Sequence, residues 1–342
     1  MTPSQPVLRT ATGTQIPVID LGPYLASEPG ALQRTARALG EASEAIGFYF
    51  IGNHGVPRLL IERVFRESER FHRLPLERKL DVRATDRIVG YLPKGGQTQR
   101  TSVYGESKYP DTSSSFYIRQ NFAPDHPDRV ANKPWVFVNK WPEGLPGFRE
   151  TMQEYYAAMS ELARRLLVLQ SVALGLGPDY LVSHDAFRPP MYNLRLLHYP
   201  PREAALEGQF GIVPHTDYGY YTILAQGEVP GLEILERSGE WIEAPALDGH
   251  FLVNNSDMCR FWTNDRFRSA PHRVINRTGK ERYSVPFFIA PRPDVVVRCF
   301  PGCEGPGNPA RYPPQSHGEY IAAINRRNYD LPGGAPKDPA QE

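Results

Sequence analysis

Along the first third of the chain, helical periods of apolar residues alternate with short unbroken apolar runs. Residues 16–21 (IPVIDL) form such a run and predict a strand. Leu32, Ala36, Leu39, Ser43 and Ile46 then make one stripe, with Arg34, Arg37, Glu41 and Glu44 elsewhere, which predicts a helix. Gly47 is a suitable stop. Residues 48–51 (FYFI) read as a strand, followed by the turn 52–55 (GNHG). Pro57 can open a second helix with Leu60, Val64, Ser68 and Phe71 on one face. From about Arg83 to Phe148 the periodicity is weak, and a loop region this long is usually functional. A long helix follows over about 148–174, with Tyr155, Met159, Leu162, Leu166 and Leu169 as its core stripe.

Beyond Pro189 the pattern changes to short strands and turns. Strands are expected at 193–199, 210–213, 220–225, 232–235, 251–254, 272–275, 283–289 and 295–297. That set predicts a mainly β protein with flanking α, built on a jelly-roll type of double sheet. Ser316 and Glu319 make a capping box for a terminal helix. The 34 prolines and 29 glycines are scattered as turns, and 332–342 reads as frayed. The expected organisation is one catalytic unit in four stretches. They are a mixed α/β region with a substrate loop (1–148), a packing helix (149–189), the β core (190–300) and a terminal helix with tail (301–342).

With 342 residues the chain can bury a sizeable core. Its 39 basic and 38 acidic residues show no run suited to a nucleic acid or a membrane surface, so neither is expected as a partner. The N-terminal residues lack the apolar stretch of a signal peptide. Cys259, Cys299 and Cys303 are too few for a disulfide framework and fit a reducing cytoplasm. The 299–303 spacing lacks a second Cys/His pair, so free thiols are expected there in place of zinc.

The chemistry concentrates in three short strings. Strand side chains alternate, so His215 and Asp217 can point at one ion, and His272 can add a third ligand. Two histidines and a carboxylate on one face leave the opposite face of an Fe(II) ion open. Arg282 and Ser284 also share a strand face; they can clamp a carboxylate with a planar fork and a hydroxyl. A structural ion pair at Arg282 is the alternative.

These residues sit in a recognisable context. The chain resembles the isopenicillin N synthase-like family of Fe(II)/2-oxoglutarate-dependent dioxygenases. The resemblance rests on IPVIDL (16–21), GFYFIGNHGVP (47–57), LRLLHYP (194–200), PHTDYG (214–219), SAPHRVIN (269–276) and ERYSVPFFIAP (281–291). It implies a double-stranded β-helix core with an N-terminal helical layer. It implies Fe(II) on His215, Asp217 and His272, which are then also the catalytic residues. Arg282 and Ser284 would hold the far carboxylate of 2-oxoglutarate, assisted by the Tyr199 hydroxyl. The implied reaction uses O2, releases succinate and CO2, and hydroxylates or desaturates a small organic substrate. Alternatives are an oxidase of the isopenicillin N synthase type without 2-oxoglutarate, a non-catalytic ligand-binding member of the fold, and a zinc hydrolase.

Two departures stand out. Ser256 replaces the glycine often found in the 254–257 turn and is expected to alter that turn, not the chemistry. His198, next to Tyr199, is expected to face away from the site as a structural contact. For the substrate, alternation puts Arg195 and Leu197 on the face of Tyr199, and Pro286 and Phe288 on the face of Arg282. Phe116 and Arg119 lie where the family places substrate contacts, while Tyr104, Tyr218 and Tyr220 offer aromatic walls. The expected substrate has an aromatic or planar part and an acidic group met by Arg195 or Arg119.

Overall fold

The computed structural model describes residues 7–9, 15–85, 88–98, 100, 102, 104, 109–201 and 208–329, and the expected frayed end at 332–342 lies outside them. The chain begins with β1 (Val7–Arg9), β2 (Gln15–Asp20), α1 (Gly22–Leu25), α2 (Ala31–Ala45), β3 (Phe48–Gly52), α3 (Arg58–His72) and α4 (Leu76–Leu80). The stripes predicted for α2 and α3 are largely buried: Ala36, Leu39 and Ser43 in one, Leu60, Val64, Ser68 and Phe71 in the other.

The stretch expected to be loop holds β4 (Gly90–Leu92), β5 (Ser114–Arg119) and the short α5 (Pro127–Val130). Strand β5 escapes a search for apolar alternation because it is buried over Ser114–Ile118 with polar residues on one face. α6 (Phe148–Ala173) and α7 (Tyr180–Ser183) follow. The core strands are β6 (Met191–Tyr199), β7 (Ile212–His215), β8 (Tyr221–Gln226), β9 (Leu232–Leu235), β10 (Trp241–Ala244) and β11 (Phe251–Asn255). After α8 (Asp257–Trp262) come β12 (His272–Val274), β13 (Arg282–Ala290), β14 (Val296–Val297), β15 (Gln315–Ser316) and α9 (His317–Asn328). Ser316 Oγ accepts the Glu319 N–H at 3.4 Å, as the capping box predicts.

The strands form a nine-stranded sheet in the order β1-β2-β3-β11-β8-β13-β6-β5-β4 and a four-stranded sheet in the order β10-β9-β12-β7. Alternation divides each central strand between two cores. Val285, Phe287 and Ile289 of β13 pack with Leu162 and Leu166 of α6 in the cluster beneath the helices. A second cluster joins Phe48, Leu197, Tyr199 and Leu252 of the large sheet to Ile212, Ile234 and Val274 of the small one. Full burial of a leucine or phenylalanine is worth about 1.5–3 kcal/mol. The helical layer therefore stiffens the large sheet from behind and leaves its other face to form the site. This arrangement is a double-stranded β-helix core under an N-terminal helical layer.

Candidate active site

His215 ends β7 and His272 begins β12, and the two residues are directly paired in the small sheet. Their ring centroids lie 4.4 Å apart. Asp217 follows β7 and places Oδ1 3.7 Å from Nε2 of each histidine. These distances are too long for hydrogen bonds, yet one ion with bonds of about 2.1 Å can bridge them. One ligand atom from each residue lies within 4.8 Å of the others, and all three residues are buried.

The surroundings orient each donor. His215 Nδ1 donates to the Val213 carbonyl at 2.8 Å and His272 Nδ1 to the Ala270 carbonyl at 3.3 Å. That tautomer leaves both Nε2 lone pairs facing Asp217. Asp217 Oδ2 accepts from Asn254 Nδ2 at 2.8 Å and from Thr222 Oγ1 at 2.5 Å, so Oδ1 is the oxygen left for a metal. Burial pulls the His215 pKa below the usual range, with His272 adding to the shift. Burial would raise Asp217, but His272, His215, Asn254 and Thr222 together outweigh it and hold the carboxyl low. Two neutral imidazoles and one carboxylate are the donors a divalent iron requires. The residues present therefore fit Fe(II), which when bound supplies activation of O2.

The turn beneath the triad explains the tolerance for Ser256. Its φ of −114° is extended backbone that any residue adopts. Asp257 N–H donates to the Asp217 carbonyl at 2.9 Å, and the Asp257 carboxylate accepts from Thr216 Oγ1 at 3.0 Å. This turn supports the triad without a glycine.

Arg282 pairs directly with Tyr199 across β13 and β6. Its guanidinium carbon lies 4.7 Å from the Tyr199 ring centroid. Nε donates to the Val229 carbonyl at 3.2 Å, and Nη1 reaches Ser284 Oγ at 3.5 Å. Arg282 is 1 % exposed. Burial lowers its pKa, against the opposing effect of Tyr199. Among the described residues no carboxylate pairs with it, so the alternative of a structural ion pair is not met there.

A cavity of about 680 Å³ connects the triad, Arg282, Ser284 and Tyr199 with Arg195, Arg119, Tyr218 and Phe288. Leu197 and Pro286 also line it, as alternation predicts. Phe116 does not. It is fully buried behind β5, 4.7 Å from Phe71 and 5.6 Å from Phe148. The alternation of β5 turns Tyr117 and Arg119 to the cavity instead, and counting back two residues from Arg119 would have found Tyr117. Tyr220 likewise packs in the core against Phe187 and Trp262. Tyr104, 38 % exposed, is not among the lining residues. His198 faces away as expected, with its ring stacked 4.9 Å from Tyr283.

Sequence reasoning missed Trp135 and Phe137, which line the cavity, and Tyr329, which lines it from the C-terminal end of α9. No periodicity marks the first two. Tyr329 OH lies 3.1 Å from Tyr117 OH, a contact between residues 212 positions apart. The three cysteines are free thiols.

Residues 190–291 match the family model of the 2OG-Fe(II) oxygenase superfamily, and residues 16–144 match that of the non-haem dioxygenase in morphine synthesis N-terminal region. The chain is 33% identical over 327 residues to the 2-oxoglutarate-Fe(II) type oxidoreductase hxnY of Emericella nidulans, covering 92% of this chain and 91% of the relative. A full-length Neurospora crassa protein, solved in complex with alpha-KG and 5-formyluracil, superposes with a TM-score of 0.79 at 26% identity, covering 94% of this chain and 98% of that one. JOX2, solved with 2OG, Fe and JA, superposes with a TM-score of 0.76 at 26% identity, covering 94% and 87%.

Proposed function

The chain belongs to the Fe(II)- and 2-oxoglutarate-dependent oxygenases, enzymes that require iron, 2-oxoglutarate and O2, and from that premise we propose its site roles and its substrate class. His215, Asp217 and His272 hold the iron. Arg282, Ser284 and Tyr199 hold the far carboxylate of 2-oxoglutarate. The observation that supports the clamp is the buried Arg282 guanidinium, which has no carboxylate partner among the described residues, because a charge so placed needs an anion.

The substrate is a planar or aromatic acid that undergoes hydroxylation or desaturation. Arg195 is 6 % exposed, donates through Nη2 to Gln97 Oε1 at 2.7 Å, and lies 4.7 Å from the Tyr117 ring centroid. Arg119 flanks the same ring at 5.9 Å and, among the described residues, its side chain donates through Nε to the Ile88 carbonyl at 3.3 Å. Among the described residues neither arginine has a carboxylate in ion-pair contact. Two guanidiniums on one cavity wall, with no carboxylate in contact among the described residues and Asp111 acting on Arg195 from farther off, favour an anionic ligand.

The sheet register supports a particular layout. Asn254, Thr222, Phe288, Asn193 and Arg119 lie in one row across five strands. Thr222 touches Asp217, so Arg119 lies three strand spacings, about 14 Å, from the metal end. Phe288 is positioned between them to face a ring. The solved neighbours bind 5-formyluracil and JA, small molecules in keeping with this scale. A reducing, cytoplasmic setting is part of the same proposal, supported by the three free thiols.

The test is an anaerobic titration of the Fe(II) protein with 2-oxoglutarate, followed by succinate release over a panel of aromatic carboxylates and their amides. Acids that stimulate succinate release while their amides do not would support the reading. Equal stimulation by amides would remove the acidic group, and no 2-oxoglutarate binding to the iron form would remove the clamp.

A further inference from the structure

Strand β7 carries His215 at the edge of the small sheet, so among the described residues one side of it has no neighbouring strand. An unpaired edge leaves backbone donors and acceptors without partners and its residues weakly held. Here Ser102 and residues 111–113 close that edge. Thr112 N–H donates to the Phe210 carbonyl at 3.1 Å and Ser113 N–H to the Gly211 carbonyl at 3.3 Å. Ser102 Oγ donates to the Pro214 carbonyl. The remaining donor, Val213 N–H, meets a side chain: Asp111 Oδ1 at 3.2 Å.

Asp111 is 1 % exposed, and among the described residues it has no contact ion pair and its Oδ2 has no hydrogen-bond partner. A carboxyl buried in this way costs stability. Its contact to Val213 grips the residue whose carbonyl fixes the His215 tautomer. Asp111 thus lies outside the triad but one residue away from it through hydrogen bonds. We propose that Asp111 is a positioning residue for iron: through Val213 it sets the place and tautomer of His215. The inference rests on His215 being a metal ligand.

Its backbone is held too, because Asp111 N–H donates to the Gln97 carbonyl at 3.3 Å. Burial pushes the Asp111 carboxyl up to about 7, and both protonation states keep an oxygen that can accept from Val213. The contact therefore depends on an acceptor at that position and not on its charge. Asparagine should replace it, and alanine should not.

The test is anaerobic titration of the full-length apoprotein with Fe(II), and with Co(II) read by its visible absorption. In D111A both metals should bind about 10–100-fold more weakly, the usual effect of losing a group that orients a ligand. The Co(II) spectrum should change shape as the coordination loosens. D111N should restore parental affinity and spectrum. D111S, too short to reach Val213, should behave as D111A if the alanine variant does not fold. Parental affinity in a folded D111A or D111S overturns the proposal. So does a D111N as weak as D111A, since the charge of Asp111, which interacts with Arg195, would then be the operative feature. H215A separates the two levels: metal affinity unchanged in H215A removes the assignment of the iron ligand itself.

Discussion

Arg282 and Tyr199 stand opposite each other in adjacent strands, the guanidinium 4.7 Å from the ring, and both line the cavity. The tyrosine face takes up part of the cation's field, and the Val229 carbonyl takes up Nε. Arg282→Ala should therefore weaken 2-oxoglutarate binding by about 2–5 kcal/mol while leaving Fe(II) binding intact. Anaerobic titrations with each ligand separate the two effects. Equal weakening of both would place Arg282 in the fold and not in the clamp.

Gly211 makes a second, steric prediction about the same part of the cavity. A Cβ there would sit 2.8 Å from Tyr199 Cδ1 and 3.1 Å from the Val274 carbonyl oxygen. Gly211→Ala should push the ring out of place and cost about 1–3 kcal/mol of stability, as overpacking does. Its 2-oxoglutarate affinity should fall as well. Thermal melts and the same titration read these outcomes, and an unchanged affinity would show that the ring has slack.

The oxygens of Asp217 divide their work. Oδ2 is committed to Asn254 and Thr222, leaving Oδ1 for the metal. Asn254→Ala should free the carboxylate to rotate and lower Fe(II) affinity about 10–100-fold. Asp217→Ala and His215→Ala should abolish turnover, scored as succinate formation. Full activity in either variant would refute the proposed iron site.

Phe116 and Tyr117 are neighbours with opposite expected phenotypes. Phe116→Ala empties a core position and should cost about 3–5 kcal/mol, with anionic ligands binding as before to whatever remains folded. Tyr117→Ala removes the ring between Arg119 and Arg195. It should weaken aromatic acids more than it lowers the melting temperature. Denaturant melts set beside ligand titrations check both.

His54 gives a prediction for pH. Its Nδ1 accepts the Val56 N–H at 3.2 Å, and its ring stacks 4.2 Å from Phe251. Burial, with His250 adding to it, lowers its pKa from 6.5 to about 4. The unfolded chain therefore binds the proton first as pH falls. Stability from His54 is complete above about 6.5 and is lost as pH drops through about 4. His54→Asn accepts the same N–H and does not titrate, so its melting temperature should fall less between pH 7 and pH 4. Parallel profiles for the two proteins would sink this account.

The sequence by itself determined what is local and periodic. The stripes of α2, α3 and α6 follow from residues three and four apart, and the shared face of Arg282 and Ser284 follows from strand alternation, whereas Asp217 reaches His215 from just beyond the end of β7. Helix and strand periods bind near neighbours, so a single chain displays them. Motif context supplied His272 and Tyr199. Only the tertiary structure decided which face of β5 meets the cavity, because Phe116 and Tyr117 are adjacent aromatic residues and burial on both faces erases the alternation signal. It alone placed Trp135, Phe137 and Tyr329 around the cavity, and Asp111 against Val213, 102 positions away. Such contacts depend on strand order and register, which arise when distant segments pack against one another, and no spacing along the chain records them.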